Sequence, residues 1–218
     1  GSEEVFFTLK RFGLKRGAYW IHAGNFDPEE NLITLFRVLE QQRFRGDRVL
    51  PLVLLGHQTQ VRQPAGISAY HDALRRAAPR AGLRQGDNLH ILPDLTPQEH
   101  TALMAGAVGY LAPGTTSGQV PLPAMEAMCH RVPVLIGRTP GVEDHLGAFA
   151  ERLLLLPPQE PGAWVRAMHA VAHQPPEVVE AVRVGFDWAR AQQKAFPGLW
   201  GRLIAAVEPS TACRERAA

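Results

Sequence analysis

Six short apolar runs, bounded by glycine or proline, alternate with helix-patterned segments along most of this chain. The runs are Ala18–Gly24, Val49–Gly56, Asn88–Leu92, Ala107–Ala112, Val132–Gly137 and Arg152–Leu156. They show little polar alternation, which suits strands covered on both faces, as parallel sheets require. Between them, Asn31–Arg43, Ser68–Ala81, Thr96–Ala105 and Pro121–His130 carry helical spacing. In the first of these, Leu32, Leu35, Phe36 and Leu39 fall on one stripe. The third opens with Thr96-Pro97-Gln98-Glu99, a capping box with proline in the first turn. Strands interleaved with helices predict an α/β fold, a Rossmann-like doubly wound parallel six-stranded sheet.

From Pro157 the pattern is helical only, with helices expected at Gly162–His173, Pro176–Gln192 and Leu199–Val207. Residues 1–17 read as a tag scar (Gly1-Ser2) and a linker helix whose pattern, Glu3–Leu14, ends at Gly13. Residues 18–208 read as one domain with C-terminal helices, and 209–218 as a frayed tail. At 218 residues and 45% hydrophobic, the chain has material for a sizeable core, which excludes disorder and a disulfide-stapled mini-fold. Its 23 Lys+Arg against 21 Asp+Glu leave a charge of +2, no footprint for nucleic acid. No apolar run approaches the roughly 20 residues that cross a bilayer. Cys129 and Cys213 suggest no structural disulfide, and with no signal peptide in view a reducing, cytoplasmic location is expected.

Open α/β sheets bind ligands at the carboxyl ends of their strands. Three loops are therefore candidates: Gly24–Glu30, Pro93–Leu95 and Pro113–Val120. The last runs Pro113-Gly114-Thr115-Thr116-Ser117-Gly118-Gln119-Val120 straight into a helix. It reads either as an anion site, built from backbone N–H groups and a positive dipole end, or as a connection whose hydroxyls cap the helix.

Taken together these segments resemble the C-terminal, donor-binding domain of GT-B-fold glycosyltransferases, specifically glycosyltransferase family 4. Tyr19-Trp20-Ile21-His22-Ala23-Gly24-Asn25-Phe26-Asp27-Pro28-Glu29-Glu30-Asn31-Leu32 resembles that family's strand-Gly-Arg-Leu-x-Pro-x-Lys-Asn-Leu segment. Leu122-Pro123-Ala124-Met125-Glu126-Ala127-Met128, followed by Val132-Pro133-Val134, is similar to its Leu-Pro-x-Leu-Glu-Ala-Met and Val-Pro-Val signature. Gly141-Val142-Glu143-Asp144 falls at the Gly-x-x-Glu turn, and Phe186-Asp187-Trp188 resembles the Phe-Ser-Trp of the penultimate helix.

The resemblance implies a retaining glycosyltransferase whose nucleotide-diphosphate sugar donor binds here without a metal or other cofactor. It also implies an acceptor-binding N-terminal half, or a separate subunit in its place, through which any membrane contact would run. The donor would lie against Gly24 and Asn25 at its phosphates, with Thr116, Ser117, Gly118, Gln119 and Val120 supplying backbone and hydroxyl contacts. Glu126 would take the ribose hydroxyls, since a carboxylate accepts two donors at once. Its alternative role is that of a first-turn acid complementing the dipole.

Four departures fall where that family concentrates its chemistry. The diphosphate-gripping Arg is Asn25, and the Lys that pairs with the same group is Glu30. The family's first glutamate is Gly118, or Ser117 with a one-residue insertion, and a loop glycine is Pro121, which has no N–H. Two lost cations and one gained carboxylate move the local charge by about three units against a phosphate. The competing expectation is therefore a non-catalytic pseudo-glycosyltransferase domain serving as a binding or regulatory module. Arg138 is the candidate substitute cation, with a plain surface role as its alternative. His169 and His173 have a metal-compatible spacing without a third ligand, so no metal is expected.

Overall fold

The computed structural model describes residues 2–56, 65–115 and 118–207. Helix α1 (Ser2–Arg11) precedes strand β1 (Trp20–Ala23), and a short 3-10 turn over Pro28–Glu30 leads into α2 (Leu32–Phe44). Next come β2 (Leu52–Leu55), α3 (Ala65–Arg80), β3 (Leu89–Leu92), α4 (Pro97–Gly106) and β4 (Gly109–Ala112). The chain continues through α5 (Leu122–Cys129), β5 (Val134–Gly137), α6 (Pro140–Leu146), β6 (Leu154–Leu156), α7 (Pro161–His173) and α8 (Pro176–Val207).

All six strands pair in parallel in the order β3-β2-β1-β4-β5-β6. The alternation read from sequence thus becomes a Rossmann-like sheet, with every strand inside its predicted run. Adjacent strand residues point to opposite faces, so the sheet separates two apolar layers. Ile21, Val53 and Tyr110 join Leu103, Ala124 and Trp188 on one side. Trp20, Leu52 and Leu111 join Leu35, Leu39 and Trp164 on the other. Helices α1, α4, α5 and α8 cover the first face, while α2, α3 and α7 cover the second.

The Thr96 hydroxyl accepts the N–H of Glu99 and the Glu99 carboxylate accepts the N–H of Thr96, completing the predicted capping box at α4. Two expectations change. The helices predicted at Pro176–Gln192 and Leu199–Val207 are one helix, α8, which continues past Pro197. A proline removes one hydrogen bond and crowds the preceding turn, a local cost that leaves the rest of the ladder in place. The turn expected at Gly141–Asp144 is the body of α6, capped by Thr139, whose hydroxyl accepts the Val142 N–H at 3.2 Å. Seven residues are too few for helical periodicity to register.

Candidate functional site

Strand order reverses between β1 and β4, so the loops after them open away from each other and leave a crevice at their carboxyl ends. Asn31 frames it. Its backbone is left-handed (φ 53°), and its buried amide donates to the carbonyls of Pro113 and Pro158, both at 3.0 Å. Its side-chain oxygen accepts from the Thr34 hydroxyl at 2.9 Å. The Thr115 N–H adds a bond to the Glu29 carbonyl, so the turns after β1, β4 and β6 are tied together.

Two clefts of about 240 Å³ each open on this edge. One is walled by Glu29, Glu30, Gly114, Gln119, Pro121 and Gly137. The other is walled by Gly24, Asn25, Gly56, Asp94, His100 and Pro123. The predicted residues are therefore divided: Gly24 and Asn25 line the second cleft, and Gln119 the first. Gly118 and Gln119 are exposed, whereas Val120 is buried. Thr116 and Ser117 lie outside the described residues. A larger cavity, about 710 Å³, lies between α2, α3 and β2–β3 and reaches Phe26 after β1. Its walls are mostly apolar and include none of the predicted site residues.

At the floor of the crevice sits a residue that sequence reasoning passed over. His22 is fully buried in β1, and its Nδ1 lies 2.7 Å from the Leu111 carbonyl oxygen. Burial holds its pKa down to about 4. Its Nε2 has no hydrogen-bond partner and stands 3.7 Å from a Glu30 carboxylate oxygen. Glu30 folds back over Gly24, accepting the Asn25 N–H. Partial burial, then the neighbouring Asp27 and Glu29 charges, raise its pKa. A Cβ on Gly24 would lie 2.9 Å from both the Glu30 carboxyl carbon and His22 Nε2, so only glycine lets the strand end meet this pair. The signal was available: one histidine inside an otherwise apolar strand.

The loop before α5 is also engaged. The Val120 N–H, expected to face a ligand, donates to His145 Nδ1 at 3.0 Å. His145 in turn stands edge-on to Trp188 of α8, with ring centroids 5.1 Å apart. The aromatic motif of α8 thus braces this loop through α6. Pro121 begins α5 with neither an N–H nor a side-chain cap. Arg138, the candidate substitute cation, donates to Glu143 at 2.6 Å.

Glu126 accepts from His100 Nδ1 at 3.2 Å, and each side chain is about one third exposed (31% and 33%). The hydrogen bond from Glu126 raises the His100 pKa against the opposing effect of partial burial. The pair joins α5 to the first turn of α4 beside the cleft that holds Gly24 and Asn25. Farther away, His173 Nδ1 donates to the His169 carbonyl at 2.8 Å on an exposed part of α7. Among the described residues, no group of three or more His, Cys, Asp or Glu is placed to hold a metal ion.

No protein-family model and no curated protein sequence matches this chain. Solved structures of GT-B glycosyltransferases share its fold. Anabaena HepE in complex with UDP-glucose superposes with a TM-score of 0.70 at 15% identity, covering 87% of this chain and 48% of that one. Sucrose-phosphate synthase from Thermosynechococcus elongatus gives 0.68 at 19% identity, covering 91% and 49%. The α,α-trehalose 6-phosphate synthase from Burkholderia multivorans gives 0.67 at 15%, covering 94% and 49%. This chain spans about half the length of each of these structures. No helix of the described residues is long and apolar enough to cross a membrane.

Proposed function

We propose that this chain is a nucleotide-sugar-binding domain of glycosyltransferase type, acting with an acceptor-binding half supplied by further chain or a second subunit. One observation carries the reading. The crevice at the β1/β4 switch point brings the Gly24–Asn25 turn to one side and the loop leading to the Glu126 helix to the other. Solved structures of the same fold, among them HepE with UDP-glucose, support a nucleotide sugar as the ligand class.

In this reading the nucleoside lies in the cleft of Gly24, Asp94 and His100, where Glu126 and His100 offer an acceptor and a donor to ribose hydroxyls. The phosphates lie over Gly24, where the absent Cβ allows close backbone approach. Family 4 membership and the donor-binding role belong to this same proposal. Calorimetric titration with UDP and with GDP tests it: a millimolar-or-tighter isotherm is expected for one of them, and flat traces for both at millimolar ligand sink it.

A specific observation favours a second reading, a non-catalytic binding module. Arg138, the residue that follows β5, is paired with Glu143, and the Asn25 N–H is held by Glu30. Departure of a diphosphate leaving group needs preorganised positive charge, and the charges acting on Glu30 are those of the Asp27 and Glu29 carboxylates. The readings separate on hydrolysis or transfer of a bound nucleotide sugar when an acceptor-binding half is present. Turnover favours the enzyme, and binding without turnover favours the module.

A further inference from the structure

We propose that a nucleoside diphosphate entering this crevice takes up a proton, held between His22 Nε2 and the Glu30 carboxylate. The inference rests on the nucleotide reading above and adds to it how an acidic site accepts an anion.

The geometry sets two acceptors face to face. The Leu111 carbonyl can only accept, so His22 Nδ1 carries the hydrogen at 2.7 Å. In the neutral ring Nε2 then presents a lone pair, and it lies in a side chain only 1% exposed with no partner. The group it faces at 3.7 Å is a carboxylate oxygen, also an acceptor. Two acceptors confront each other with no donor between them. A proton there converts the confrontation into a charge-assisted hydrogen bond.

The charged neighbours of Glu30 push the same way, opposed by the Asn25 N–H, which favours the ionised carboxylate. Asp27 and Glu29, on the same turn as Glu30, are carboxylates. Tyr110, on β4, stacks on the His22 ring and points its hydroxyl at the Ala23 carbonyl. Tyr70, on α3, accepts the Ile33 N–H. Near neutral pH the ligand-free pair carries no proton at His22 Nε2, because burial disfavours the imidazolium. A diphosphate over Gly24 adds negative charge beside both acceptors, which favours their protonated forms. One proton from solvent then cancels the Glu30 charge and weakens its hold on the Asn25 N–H, which a phosphate oxygen can then compete for. A nucleoside without phosphate brings no charge and takes up no proton.

The test is calorimetric titration of the whole chain with UDP and with uridine, near pH 7.5, in buffers of different ionisation enthalpy. The expected result is uptake of about one proton per UDP and none per uridine. In Glu30→Gln the uptake falls to near zero while UDP affinity is kept or rises. That second arm separates this pair from His100 and from the ligand's own phosphate titration. UDP binding with no net uptake, or with equal uptake in Glu30→Gln, overturns the proposal and leaves the nucleotide reading intact. UDP binding only to Glu30→Gln overturns it as well, because Glu30 then excludes the diphosphate without being protonated. Failure of both UDP and GDP to bind either protein, with intact folding by circular dichroism, removes the nucleotide reading and this proposal together.

Discussion

The Arg138 guanidinium lies 2.6 Å from the Glu143 carboxylate, so the cation nearest the end of β5 already has an anion of its own. Both side chains are partly exposed (43% and 35%), and such pairs contribute at most about 1 kcal/mol. Removing the carboxylate therefore releases Arg138 at small structural cost. Glu143→Gln is expected to tighten UDP binding by about two- to five-fold, with thermal stability nearly unchanged. Arg138→Ala is expected to leave affinity within about two-fold. Calorimetry on the two variants checks both. A large loss of affinity in Arg138→Ala would mean that the guanidinium leaves Glu143 for the ligand.

The hydrogen bond between His100 and Glu126 predicts a pH signature. Glu126 raises the His100 pKa above its ordinary value. The stability this pair contributes is therefore fully present below the unfolded midpoint and is lost as pH rises through the folded one. Partial exposure keeps that contribution below about 1 kcal/mol. In Glu126→Gln the His100 midpoint, followed by NMR, should move down, and uridine affinity should fall about ten-fold as a charged acceptor is lost. An unmoved His100 midpoint would show that the pair does not form in solution.

His22 predicts acid sensitivity with the opposite sign. Its folded pKa is held down to about 4 by burial, so between roughly pH 6.5 and 4 the unfolded chain binds a proton that the native state refuses. Stability is lost as pH falls through that window, by about 3 kcal/mol at its lower end. Urea denaturation at pH 7 and near pH 4.5 measures this loss. His22→Asn should flatten the slope, whatever it does to stability at pH 7.

Gly118 and Gly141 make a steric pair. A Cβ on Gly141 would come within 2.6 Å of the Gly118 Cα, backbone against backbone, whereas a Cβ on Gly118 meets nothing within 4 Å. Gly141→Ala should cost about 1–3 kcal/mol by pushing the loop from α6. Gly118→Glu, which restores the acid of the family pattern, should change stability by less than about 0.5 kcal/mol. Thermal melts of the two variants distinguish them, and equal losses would mean that the loop stands off α6.

The sequence by itself determined the layers of this molecule. Uninterrupted apolar runs, helical stripes and the Thr96–Glu99 box act over a few residues, so element type and the parallel sheet could be read directly. The motif around Glu126 likewise marked the helix that borders the crevice. The tertiary structure alone decided which groups remain available there, because those contacts join residues far apart in the chain. Asn31 bonds to a carbonyl 127 residues away, Val120 gives its N–H to His145, Arg138 is held by Glu143, and His22 confronts Glu30. A hydrogen-bonding group has a limited number of partners, and folding assigns them through space. Sequence pattern therefore gives the position of the crevice, and only the folded chain fixes its charge and its free donors.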